Sequence, residues 1–114
     1  MTRDHGNLFS LPGALPSGEW FEDLLTGSGF RLERIVSRGQ ATPPGEWLRQ
    51  ERGEWVVLLS GAAELRFADE RAPRSLAPGD WVWIAPGRRH RVERTDPQAP
   101  TVWLALHHDG GAAD

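Results

Sequence analysis

Polar and apolar positions change their rhythm at Gly29. Before it, Trp20, Phe21, Leu24 and Leu25 recur at helical spacing, with Glu19, Glu22 and Asp23 among them. That pattern predicts a short helix over 20–25, its acids near the positive end of the helix dipole, ended by Thr26-Gly27-Ser28-Gly29. A helix this short is unstable alone and must pack on something larger. Residues 1–16 are punctuated by Pro12, Gly13 and Pro16 and predict an irregular arm.

After Gly29 the period becomes two. FRLERIVS over 30–37 alternates as a half-buried strand does, and GQATPPG over 39–45 reads as a loop. Strands are predicted at 47–50, 54–59, 62–67, 81–84, 90–94 and 101–107, separated by Gly- and Pro-containing turns, with 68–75 a polar connection. Many short strands at near-regular spacing predict an all-β sandwich or barrel. The organisation expected is an arm with a short helix over 1–29, a barrel over 30–108 and a frayed tail over 109–114.

Composition narrows the chemistry. The 114 residues suit one domain, 13 Gly and 9 Pro fit its turns, and no apolar run approaches the roughly 18 residues that span a bilayer. The start, MTRDHGNLFSLPG, lacks the apolar stretch of a signal peptide, so a cytoplasmic location is expected. Cys is absent, which excludes disulfides, thiolate ligands and a Cys nucleophile. Lys is absent too, which excludes Schiff-base chemistry and makes every one of the 13 basic side chains an arginine. A net charge of −3 argues against binding nucleic acid by bulk charge. The one basic cluster, Arg88-Arg89-His90-Arg91, has no helix-turn-helix or stacking platform beside it.

Two segments resemble the paired motifs of the cupin superfamily, whose members are small double-stranded β-helix (jelly-roll) barrels. The first motif runs Gly, five residues, His-x-His, three or four residues, Glu, six residues, Gly; here Glu54 is followed by WVVLLS and Gly61. The second runs Gly, five residues, Pro-x-Gly, two residues, His, three residues, Asn. Here Gly79 is followed by DWVWI, Ala85-Pro86-Gly87, Arg88-Arg89 and His90. The resemblance spans roughly residues 30–108 and implies a cupin barrel behind a short N-terminal helix or arm.

The departures are in the ligands. The His-x-His positions fall on Leu48 and Gln50, or on Trp47 and Arg49, and the terminal Asn on Arg94. The resemblance therefore implies a divalent metal (Fe, Mn, Ni, Cu or Zn) held by Glu54 and His90, with Gln50 the one further donor. If His90 faces the interior, period two turns Arg94 inward as well, where it either neutralises Glu54 in place of a metal or receives a small organic anion. Trp47 is expected at the rim. Two functional readings stay open: a metal-dependent enzyme acting on a small organic anion, and a metal-free small-molecule-binding barrel. One of His107 and His108 must face inward, and parity leaves open which.

The same parity sorts the tryptophans. With Glu54, Val56, Leu58, Val82 and Ile84 inward, Trp55, Trp81 and Trp83 lie outward. They would form an apolar face covered by the N-terminal segment or by a second copy, and a homodimer is expected. No nucleic-acid or membrane partner is expected.

Overall fold

The computed structural model describes residues 4–13 and 18–110. The described residues form eight strands: β1 Trp20–Gly27, β2 Phe30–Ser37, β3 Gly53–Ser60, β4 Ala63–Phe67, β5 Arg74–Leu76, β6 Trp81–Ile84, β7 His90–Thr95 and β8 Thr101–His108. They make a five-stranded sheet in the order β1-β2-β8-β3-β6 and a three-stranded sheet in the order β5-β4-β7. All strand pairs are antiparallel. The architecture is the all-β jelly roll. Among the described residues there is no α-helix, so none is long and apolar enough to cross a membrane.

The helix expected over 20–25 is a strand. A β-bulge interrupts it: Asp23 faces Glu33 and Leu25 faces Leu32, which leaves Leu24 as the extra residue. The insertion reverses side-chain parity, so Phe21 and Leu25, which helical spacing would put on one face, lie on opposite faces of an extended backbone. β5 forms within the connection expected over 68–75 and runs one residue past it, as Leu76 pairs with Ala63 on the edge of β4. The strand expected at 47–50 shrinks to one bridge between Leu48 and His90. Residues 1–3 and 14–17 of the expected arm and 111–114 of the expected tail lie outside the described residues.

The core lies between the sheets. Val56, Leu58, Val82, Ile84, Trp103 and Ala105 from the large sheet meet Ala63, Leu65, Phe67 and Leu76 from the small one. The Glu54-x6-Gly61 spacing has a backbone reason. Gly61 turns β3 into β4 at a φ of 88°, and a Cβ there would lie 2.7 Å from Thr101 Cα and 2.5 Å from its Oγ1. Only glycine satisfies both demands. The buried indole of Trp103 donates to Ser37 Oγ (3.3 Å), whose hydroxyl donates to Glu19 (2.6 Å), so this polar chain is satisfied within the core wall.

The tryptophans sort as parity requires. Trp55 and Trp81 stack on the outer face with ring centroids 5.9 Å apart, and Trp83 packs on His108 at 5.1 Å. Trp81 remains 60% exposed. The N-terminal arm covers a different part of this face. Arg34, buried outward from β2, donates to the carbonyls of Leu8 and Ser10 (both 3.0 Å) and pairs with Glu22 at 2.8 Å.

Candidate functional site

Toward one end of the barrel the inward positions change from apolar to polar, and a cavity of 680 Å³ opens between the sheets. Its walls are Ile35, Val56, Leu65, Ile84, Val92 and Trp103; its floor carries Glu33, Glu54, His90 and His107. The loop over 41–50 closes one side through Thr42, Pro43, Leu48 and Gln50.

His107 is the inward histidine. It lies opposite Glu54 in the β3–β8 register and diagonal to Glu33 on β2, and its Nε2–H donates to Glu33 Oε1 at 2.7 Å. Both side chains are buried. His108 points to the outer face, against Trp83. Sequence alone does not single out Glu33, because alternation locates β2 without telling which of its faces meets a cavity. The polar face does: Arg31 and Glu33 line it, while Leu32, Arg34 and Val36 take the other face.

Glu54 is only 7% exposed. Burial pushes its carboxyl above the ordinary carboxylate range; the positive potential of His107 and His90 and a hydrogen bond from Gln50 offset this in part, and Glu33 adds to the rise. His90 is 3% exposed and sits on the Phe67 ring, with centroids 6.3 Å apart. Its Nδ1 lies 2.9 Å from the Arg88 carbonyl, which can only accept, so Nδ1 carries the hydrogen. In the neutral ring Nε2 is then an acceptor.

Two expected site residues fall elsewhere. Arg94 is not inside the barrel. In the β4–β7 register Leu65 faces Val92 and Glu64 faces Arg94, so Glu93 is an extra residue that reverses side-chain parity. The Arg94 guanidinium, half exposed, meets Glu64 at 3.4 Å rather than Glu54. Trp47 does not line the cavity; its ring lies 6.0 Å from the Arg91 guanidinium, and Leu48 takes the rim position.

Arg91, the last residue of the basic cluster, is a buried brace. Its guanidinium donates to the carbonyls of Thr42 (2.9 Å), Pro43 and Glu46 (both 3.0 Å). Thr42 also exchanges bonds with Val92, and Leu48 with His90, so the loop is laced to β7 beside the cavity. Arg88, its neighbour in the cluster, lies 3.6 Å over the Phe67 ring and pairs with Asp69 and Glu70.

Gln50, Glu54 and His90 do share the cavity lining, but the donor set does not fit a resident metal. Among the described residues no three His, Asp or Glu side chains converge on a point where an ion could be held. The second imidazole is bonded to Glu33, and Gln50 offers only a neutral amide. The cavity instead offers buried acceptors and titratable groups for hydrogen bonding and proton exchange.

The class the fold defines is a jelly-roll barrel with a polar-floored cavity between its sheets. The cupin domain model matches residues 35–107, and this chain belongs to that family. It is 44% identical to a Ralstonia eutropha JMP134 protein provisionally assigned as a mannose-6-phosphate isomerase, with a TM-score of 0.90 over 95% of this chain and all of that one. A Thermus thermophilus protein shares the fold at 19% identity and TM-score 0.75, over 94% and 98% of the two chains. A polyketide cyclase from Streptomyces resistomycificus shares it at 21% identity and TM-score 0.71, over 96% and 80%. No curated protein matches.

Proposed function

We propose that this cupin binds a small organic molecule between its sheets and does so without a resident metal ion. The observation that carries the reading is the donor set: His107 is bonded to Glu33, and no three His, Asp or Glu side chains converge on one point among the described residues. Apolar walls with a few convergent polar groups are the usual make-up of a small-molecule site, and 680 Å³ falls in the usual size range. The competing reading is a metal-dependent enzyme with a divalent ion on Gln50, Glu54 and His90. It would rest on two ionisable donors and one weak amide donor.

The expected organic anion loses its main support, because Arg94 lies outside. A sugar phosphate, the substrate type in the Ralstonia protein's provisional name, meets the same difficulty: it would enter a cavity lined by Glu19, Asp23, Glu33, Glu46 and Glu54 with Arg31 as the one guanidinium. A homodimer through the Trp55–Trp81 face is proposed alongside, since these rings leave apolar surface in water.

Elemental analysis of untagged protein, with melting curves in the presence and absence of a chelator, tests the main reading. Far less than one ion per chain and an unchanged melting temperature are expected. A stoichiometric ion that disappears in His90→Ala would establish the metal reading instead. Light scattering at micromolar concentration should give twice the chain mass; a monomer mass would remove the dimer.

A further inference from the structure

The side chains that line the cavity are unbalanced in two ways, and both point to the same kind of ligand. The first is charge. Five carboxylates line the cavity against the single guanidinium of Arg31, which already lies between Asp23 (3.7 Å) and Glu33 (3.6 Å). The other arginines near this end are used elsewhere: Arg91 by loop carbonyls, Arg88 by Asp69 and Glu70, and Arg94 by Glu64. The second is hydrogen-bond polarity. His90 is almost fully buried with Nδ1 bound to a carbonyl, so Nε2, an acceptor whenever the ring is uncharged, is the free position, and no hydrogen bond engages it among the described residues. Glu54, also buried, has acceptor capacity left over, and Gln50 Oε1 is buried without a partner. Buried acceptors without donors are costly, and a ligand carrying several N–H groups relieves that cost.

We propose that the cavity is selective for a small organic cation, an alkylammonium with an apolar body, whose N–H groups meet Glu54 and His90 on the floor while Val56, Ile84 and Trp103 enclose its carbon atoms. This rests on the reading of the cavity as a small-molecule site. An ammonium is all donor and carries the missing positive charge, so it matches the floor on both counts. A carboxylate or phosphate matches on neither. A neutral alcohol donates one hydrogen and brings no charge.

Calorimetric titration with three probes of one shape tests the selectivity: cyclohexylammonium, cyclohexanol and cyclohexanecarboxylate, at one pH and ionic strength. The ammonium should bind at least about tenfold tighter than the alcohol, the scale of one charge-assisted hydrogen bond, and the carboxylate should not bind measurably. In Glu54→Gln the ammonium should lose its advantage and fall to the level of the alcohol, with a single cooperative melting transition showing that the variant is folded; an undiminished advantage in the folded variant would overturn the role of Glu54. Equal or tighter binding of the alcohol or carboxylate overturns the selectivity but leaves the small-molecule site standing. Binding of none of the three overturns both. Displacement of the ammonium by equimolar magnesium chloride, at matched ionic strength, would overturn the selectivity in favour of a metal ion.

Discussion

The two ends of the barrel are built from the same strands and hold opposite kinds of interior. At the closed end β3 contributes Leu58, fully buried between the sheets with Ala63 and Leu76 in the same core. Four residues earlier on the same inward row the strand contributes Glu54, and β8 passes likewise from Trp103 and Ala105 to His107. Burial at the closed end removes apolar surface from water and stabilises the fold. Burial at the open end desolvates a carboxyl and costs stability. One strand row thus carries both the stabilising and the destabilising interior. The open end tolerates buried Glu33, Glu54, His90 and His107 because the closed end and the brace at Arg91 hold the strands in place.

The largest break in this contrast is expected at the closed end. Leu58→Ala should lower unfolding free energy by about 2–5 kcal/mol, as large-to-small changes in a packed core do. Urea denaturation should show a lower midpoint with an unchanged slope. A loss well under 1 kcal/mol would mean that the closed end is not the part that holds the barrel together.

Next comes the brace. Arg91→Ala removes the donors to the carbonyls of Thr42, Pro43 and Glu46 while leaving the strand ladder in place. A loss of about 1.5–3 kcal/mol is expected, typical of charged hydrogen bonds. Lysine should recover little of it, because a point charge cannot reach three carbonyls as a planar fork does. Hydrogen exchange localises the effect: the amides of Thr42 and Leu48 should lose protection while those of β2 and β8 keep theirs. Uniform loss across the sheets would instead make Arg91 part of the global core.

Much of this contrast is legible in the residues themselves. Alternation gives β2, β3, β6 and β8; the resemblance to the cupin motifs picks out Glu54 and His90, and parity counted from Glu54 places Trp55, Trp81 and Trp83 outside. What escapes is whatever depends on a single inserted residue or on a long-range partner. The bulge at Leu24 breaks the alternation of an edge strand, and the bulge at Glu93 turns Arg94 away from the cavity. Glu33 and His107 are 74 positions apart and meet only through the β2–β8 register. Arg91 looks like a solvated cation because its partners are backbone carbonyls, which have no signature in the order of side chains.

The open end gives the third prediction, and its sign is opposite to the first two. With its folded pKa above the ordinary carboxylate range, Glu54 holds its proton more tightly in the folded state than in the unfolded one. Its contribution favours folding at acid pH and is lost as pH rises from the ordinary carboxylate range through the raised value. Glu54→Gln removes that dependence. The variant should be more stable than the parent at pH 7, and the gap should close toward pH 4 in a series of melting curves. A variant less stable at pH 7 would mean that the ionised carboxylate is stabilised by His107 and His90 beyond its desolvation cost.

The smallest effect is expected at Arg94, where sequence parity and the folded register disagree most directly. An inward Arg94 would be a buried cation beside Glu54, and its removal would leave an uncompensated buried charge, a loss of about 3–5 kcal/mol. The extra residue at Glu93 puts Arg94 outside in a half-exposed pair with Glu64, and exposed pairs contribute about 0–1 kcal/mol. Arg94→Ala should therefore shift the urea midpoint marginally and leave the pH dependence set by Glu54 unchanged. The deletion of Glu93 tests the cause: without the bulge, period two would turn Arg94 inward toward the acidic floor. In that background Arg94→Ala should alter the pH dependence of stability. An equally silent Arg94→Ala in both backgrounds would show that the bulge is not what keeps this cation out of the cavity.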